Sequence, residues 1–345
     1  MLRASYPPTL MHKHHEAPDI DLPIGSYRLR FRAAGDLKMP PYAGSAWRGA
    51  MGHALKRLFC ITDHTSCDNC PARQSCGYTY LFETPLPSGA EKMRKYSAIP
   101  HPFVLITGMN GGNLEKGGIY HLGLQLIGRG NEYLPQVIHA LQQAGARGFG
   151  QGRLQLAAVE QFDQQRTQWR LIHSPGGSYL PLPPAIPAIP PLPRQVKIEL
   201  RTPLRLKYEG CIAQADTFTF GRFFSSLLRR LSMLSYFHGA TPLETDFRAL
   251  IQKAHGISVQ HRHFHWHRMG RYSTRQKKRI DLSGLLGSFH LETDKLGMLW
   301  AYLWTGQYIH TGGATTMGLG RYRVVTPERP YMEELDGRYG RIEHE

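Results

Sequence analysis

The chain repeats its own plan. "YRLRF" begins at Tyr27 and "VKIEL" at Val196, 169 positions later, and both alternate as half-buried strands do. An amphipathic helix pattern starts near Gly44 in "GSAWRGAMGHALKRLF" and another near Thr217 in "TFTFGRFFSSLLRRLSML". Gly148-Phe149-Gly150 and Gly318-Leu319-Gly320 lie 170 apart. Each is preceded by a helix candidate, "EYLPQVIHALQQAG" or "KLGMLWAYLWTG", and followed by a strand-like run, "QGRLQLAAV" or "RYRVV". Four correspondences at nearly one offset predict a duplicated α+β domain of the β-α-…-α-β kind.

Between the halves runs "PLPPAIPAIPPLP", residues 181–193, with seven prolines in thirteen positions. Proline fixes φ and removes the amide donor, so this is an extended, stiff connection rather than a helix or central strand. Its Ile and Leu residues suit packing against the protein. The expected organisation is an N-terminal domain over 1–180 with a cysteine-rich insertion at about 60–80, the linker at 181–193, a C-terminal domain over 194–330, and a tail at 331–345. Projected at a helical period, Trp47, Met51, Leu55 and Leu58 share one arc, the core face. His53 points the other way beside Gly49, with Lys56 and Arg57 flanking it. The second helix turns Phe220, Phe223, Leu227, Leu231 and Leu234 inward and has no histidine at the equivalent place.

A net charge of +16 attracts polyanions, of which nucleic acid is the commonest. The first 24 residues mix prolines and charges without an apolar core segment, and no apolar run approaches the ~20 residues of a membrane span. Four of the five cysteines fall within 17 residues, which fits a metal cluster better than a disulfide framework. A soluble cytoplasmic protein without membrane association is the expectation.

Cys60, Cys67, Cys70 and Cys76 form C-x6-C-x2-C-x5-C. Two thiolates across a tight turn reach one ion, and four complete a tetrahedral Zn2+ shell closed to substrate. An iron–sulfur cluster or unmetallated thiols satisfy the same pattern. Cys211 stands apart as a packed thiol. In "HRHFHWHR", His261, His263, His265 and His267 line one strand face, too far apart along it to converge on one ion. Arg268, Arg271, Tyr272, Arg275, Lys277, Lys278 and Arg279 then mix cations with an aromatic, a composition suited to phosphates and unpaired bases. "GGATTMGLG" lacks both a P-loop and a dinucleotide context. Its glycines serve positive φ or close backbone approach, and its amides with Arg321 and Arg323 suit RNA phosphates.

The duplication, the G-x-G loop near each domain's end and "TTMGLGRYRV" resemble the RAMP superfamily of CRISPR systems. "PYAGSAWRGAMGHAL", "CDNCPARQSCGYTYLFETP" and "RYSTRQKKRIDLSGLLGSF" are similar to its precursor-crRNA processing endoribonucleases, the sixth Cas family. The resemblance, from about residue 27 to 325, implies two tandem ferredoxin-like (RRM-like) domains and metal-independent cleavage within a CRISPR repeat by 2′-hydroxyl attack. It also implies a catalytic histidine on the first helix, matched here by His53. Lys56 and Arg57 would then stabilise the phosphorane, and Tyr42 would orient the phosphate or assist proton transfer. His101, His121 and His238 are substitutes for His53. Arg48, Arg57, Arg147, Arg153, Gly318 and Gly320 join the basic residues above as RNA-binding candidates. The implied partners are repeat RNA and crRNA, effector-complex subunits, and an adaptation module with a reverse transcriptase or integrase. The alternative is a non-catalytic crRNA-binding subunit.

Overall fold

A computed structural model describes residues 18–62, 66–87, 89–90, 92, 99–109, 111–148, 152–273, 278–326 and 342–343. In the first half, β1 (Ile24–Ala33), α1 (Gly44–Phe59), β2 (Phe103–Ile106), β3 (Ile119–Ile127), α2 (Leu134–Arg147) and β4 (Leu154–Asp163) follow one another. The order across the sheet is β4-β1-β3-β2, all antiparallel neighbours. That is the ferredoxin-like arrangement. A further strand, β5 (Gln168–His173), extends the β4 edge as a hairpin.

The second half repeats the arrangement with β6 (Val196–Leu204), α3 (Phe220–His238), α4 (Phe247–His255), β7 (Val259–His267), the small hairpin β8 (Gly270–Ser273) and β9 (Lys278–Asp281), β10 (Gly284–Leu291), α5 (Leu299–Ile309) and β11 (Tyr322–Val325). Its sheet reads β7-β10-β6-β11. One short strand of the C-terminal tail, β12 (Ile342–Glu343), returns to pair with Ile119 and Tyr120 of β3. The rest of 331–345 lies outside the described residues, as do Phe149 and Gly150 of the first glycine pair.

The elements form where the apolar periods put them. Trp47, Met51 and Leu55 of α1 are buried, and Trp47 packs on Phe31 of β1 at 4.8 Å between ring centroids. Leu58 departs from expectation: it is 43% exposed. The chain leaves the sheet there for the insertion, and Phe59 covers Tyr133 instead. Phe220, Phe223, Leu227, Leu231 and Leu234 of α3 are all buried.

The domain junction is a shared sheet face. Strand β3, "IYHLGLQLI", is buried at every position, the pattern of a strand covered on both sides. Phe103 and Leu105 of β2 belong to the core under α1 and α2, whereas Val104 and Ile106 belong to the core of the second half. Side chains alternate along a strand, so four residues serve two cores. The proline-rich segment lies extended along this junction. Gln161 bonds both backbone groups of Leu182 (2.9 and 2.8 Å), Ile24 N–H donates to Ala185 O, and Trp300 Nε1 donates to Pro190 O.

His238 closes the junction from the end of α3. It is fully buried, with Nε2 2.8 Å from the Pro100 carbonyl and Nδ1 3.0 Å from the Tyr80 hydroxyl. A carbonyl only accepts, so Nε2 carries the proton and Nδ1 accepts from Tyr80. Burial pushes its pKa down to about 4 from 6.5. The unfolded chain therefore binds this proton at higher pH than the folded one, and stability falls as pH drops from about 6.5 to about 4. The expected loss from this residue is about 3 kcal/mol, complete by about pH 4 and absent above about 7. Denaturant titrations at stepped pH check this; a stability flat across that window contradicts it.

Candidate active site

The exposed face of α1 holds the reactive candidates. His53 and Arg57 are exposed and Lys56 is partly exposed, while Ala46 and Gly49 leave the helix surface low beside the imidazole. A Cβ added at Gly49 would meet nothing within 4 Å, so a polymer backbone has room to lie close to His53. The last turn carries Lys56 and Arg57, where cations offset the helix dipole. Slight burial and the Arg147 guanidinium both lower the Arg57 pKa, so these two cations feel one another across α1 and α2. Arg147 is exposed at the end of α2, and exposed Arg153 brings its Cγ within 3.5 Å of a Cβ built on Gly148. The sequence thus brings His53, Lys56, Arg57, Arg147 and Arg153 to one basic surface of the first domain.

The glycine loop takes another place than expected. Residues 312–321 tuck against the start of α1 and against β2, and Gly318, Leu319, Gly320 and Arg321 are buried. Gly318 (φ +92°) and Gly320 (φ +68°) occupy left-handed backbone, as the glycine-rich pattern predicts. A Cβ at Gly318 would stand 2.5 Å from the Leu105 carbonyl of β2. Thr202 Oγ1 donates to Gly318 O and accepts from Arg321 N–H. The loop is therefore a docking element between domains, not an open RNA cradle.

Tyr42 is corrected on the same ground. Its hydroxyl donates to the Met317 carbonyl, and burial pushes its pKa up, with Arg321 opposing. With its hydroxyl held by the Met317 carbonyl, the partly buried phenol is a strut between the loop and the start of α1 in this structure. Arg321, 9% exposed, is likewise withdrawn from the surface. Arg48 reaches across to the loop: Nε donates to Thr316 Oγ1 at 3.0 Å, and the guanidinium lies 4.3 Å above the Phe82 ring. Its Nη2 sits 3.5 Å from His101 Nε2, and His101 Nδ1 lies 2.6 Å from Thr84 Oγ1. Burial, then Arg48, Arg230 and His238, push the His101 pKa down to about 3. His101 is thus a neutral interface residue, and His121 and His238 are fully buried. None of the three substitutes offers the open imidazole that His53 does. The contact of Arg48 with residue 316 joins positions 268 apart, which no local pattern announces.

On the second domain, β7 is an edge strand interrupted by a bulge between Gln260 and His263, with His261 at φ +44°. Past the bulge Phe264 packs on Phe218 and Phe289 while His263 and His265 are exposed, but the alternation ends there: Trp266 is exposed and His267 is partly buried. Among the described residues no group of three or more His, Cys, Asp or Glu is placed to hold a metal. Arg268 and Arg279 are exposed and Arg271 is partly exposed at the adjoining hairpin. Arg275, Lys277 and the side chains of Tyr272 and Lys278 lie outside the described residues. Arg323 stands opposite Glu199 on β6, within the ion cluster of Lys197, Glu199 and Arg201.

Cys60, Cys67, Cys70 and Cys76 line one cavity of about 280 Å³ at the end of α1, together with Lys56, Phe59 and Tyr133. The thiols share its walls without converging on one point. Cys211 is exposed on a short hairpin rather than packed. Among the described residues no helix is long and apolar enough to cross a membrane.

Residues 198–322 match the family model of the CRISPR-associated endoribonuclease Cas6. Residues 22–184 match a second model, described as an N-terminal domain. An uncharacterized protein of Archaeoglobus fulgidus is 27% identical over 110 residues, covering 32% of this chain and 36% of that protein. This chain thus aligns with about a third of that curated relative. A solved Cas6 product complex superposes with a TM-score of 0.52 at 18% identity, over 88% of this chain and 99% of the other. A partial Cas6-RT-Cas1–Cas2 complex superposes at 0.54 with 14% identity, over 90% of this chain and 47% of the other. These structures share the tandem fold, and within that fold the match over residues 198–322 makes the second half similar to the Cas6 endoribonuclease family, which supports a Cas6-type CRISPR processing protein.

Proposed function

We propose that this chain cleaves CRISPR repeat RNA within precursor crRNA and retains the mature product. The observation that carries the reading is His53, an open imidazole on the basic face of α1 beside the low surface at Ala46 and Gly49. In the reaction the 2′-hydroxyl attacks the adjacent phosphorus while the bond to the 5′-oxygen breaks. The products are a 2′,3′-cyclic phosphate and a 5′-hydroxyl. His53 moves a proton, either from the attacking hydroxyl or onto the leaving oxygen. Lys56 and Arg57 balance the charge gathering on the phosphorane. The proposed scheme is metal-independent: the proton transfers and charge balance are assigned to side chains acting on an RNA hydroxyl and phosphate.

Arg147, Arg153, Arg268, Arg271 and Arg279 supply sequence-independent grip on the RNA, in keeping with the net charge of +16. The retained crRNA passes to effector-complex subunits in the cytoplasm. The likeness to a Cas6-RT-Cas1–Cas2 complex supports a second association, with an adaptation module. The alternative, a subunit that holds crRNA without cutting it, gains from the engagement of Tyr42 in the domain junction, which leaves His53 without that phenol. Incubation with a repeat RNA in excess EDTA separates the two. The expected product carries a 2′,3′-cyclic phosphate; intact RNA that is nevertheless bound leaves only the alternative standing.

A further inference from the structure

We propose that Cys60, Cys67, Cys70 and Cys76 bind one Zn2+ that fastens the insertion to the end of α1. This inference does not rest on the cleavage reading. All four cysteines present themselves to a single cavity, although they span 17 residues of a loop-rich insertion. Cys67 and Cys70 flank a tight turn closed by the Cys70 N–H to Cys67 carbonyl bond (3.3 Å), the arrangement that lets a C-x2-C pair grip one ion. The other two cysteines are anchored by regular backbone: Cys60 N–H donates to Lys56 O at the end of α1, and Cys76 N–H donates to Ala72 O. Cys60 Sγ and Cys70 Sγ both stand within 4.0 Å of the Thr62 hydroxyl.

A tetrahedral site with Zn–S of about 2.3 Å holds its sulfurs ~3.8 Å apart. No three of the thiols are that well gathered in this structure, so zinc would draw them inward across the cavity. Four thiolates also exclude a substrate position, which makes the ion structural.

The insertion is fixed at its other end by contacts that matter to both domains. Tyr80 reaches His238, Thr84 reaches His101, and Phe82 lies under Arg48. Lys56 shares the cavity wall with the cysteines. A zinc clasp would thus steady one end of a wedge whose other end sits in the domain junction.

Two measurements on the full-length protein test this. Elemental analysis after purification without chelator should give one zinc per chain and no iron–sulfur chromophore. Thiol titration of the native protein should show one fast cysteine, exposed Cys211, and four that react only as zinc is released to a colorimetric indicator. The double substitution Cys67→Ser, Cys70→Ser should lose the metal. Zinc far below one per chain with five fast thiols overturns the proposal, and so does iron with a visible chromophore. Because the first two readouts use the unaltered chain, misfolding of the double variant leaves the test intact.

Discussion

Replacing His53 by alanine lowers the single-turnover rate of repeat cleavage by about 10²–10⁴-fold, the range that general acid–base groups contribute. RNA affinity stays within about threefold, because the binding rests on arginines and lysines spread over both domains. The fold also stays intact, since His53 is exposed on α1 and alanine is a better helix former than histidine. Three measurements check this together: product formation under enzyme excess, a binding titration at fixed salt, and a melt. A variant that cuts at the parent rate removes His53 from the chemistry. Its cutting would have to come from another group, because His121 and His238 are fully buried and His101 is partly buried with Nδ1 held at the Thr84 hydroxyl.

Gly320→Ala destabilises the protein by about 3 kcal/mol or more, the largest loss expected from adding a single methyl group. Two costs add at this position. The backbone is left-handed at φ +68°, and an added Cβ runs into the Thr311 carbonyl, a backbone atom that cannot swing away. Relief requires the loop to move, and the loop carries the Met317 carbonyl for Tyr42 and the Thr316 hydroxyl for Arg48. The damage therefore reaches the first domain. Alanine at Gly49 is the control: beyond its own chain neighbours and the local helix backbone no atom lies within 4 Å of its Cβ, and mid-helix alanine is favoured over glycine by about 1 kcal/mol. Denaturant midpoints for the two variants should move in opposite directions. A Gly320→Ala midpoint equal to that of the parent contradicts the close packing of the loop.

The local parts of this architecture were legible in the residues. The burial of Trp47, Met51 and Leu55, and of the five apolar residues on α3, follows from helical periodicity acting within a few turns. The left-handed glycines of the last loop follow from glycine itself. What local pattern does not encode is the partner across the molecule. Tyr42 and Met317 are 275 positions apart, and a tyrosine before a helix reads the same whether it faces RNA or a carbonyl. Arg321 looked like a phosphate ligand for the same reason. The run "FVLI" of β2 is too short for periodicity to distinguish strand from helix, and nothing in it announces two cores. The histidine ladder is broken at its start, where His261 takes a left-handed turn and the register shifts, and at its end, where Trp266 is exposed and His267 partly buried at the sheet edge.

The strand divided between two cores bears on how such a chain can be taken apart. Val104 and Ile106 lend their side chains to the second domain while their backbone pairs with β3 of the first. A first half made alone would carry an apolar patch where those residues emerge, and a second half made alone would lack part of its filling. Two polypeptides parted within the proline-rich stretch should accordingly find and complete one another when mixed, instead of behaving as independent modules. The same sharing constrains ancestry. Once a duplicated unit had come to lean on its copy in this way, neither could be exchanged for a relative's without repacking the surface between them.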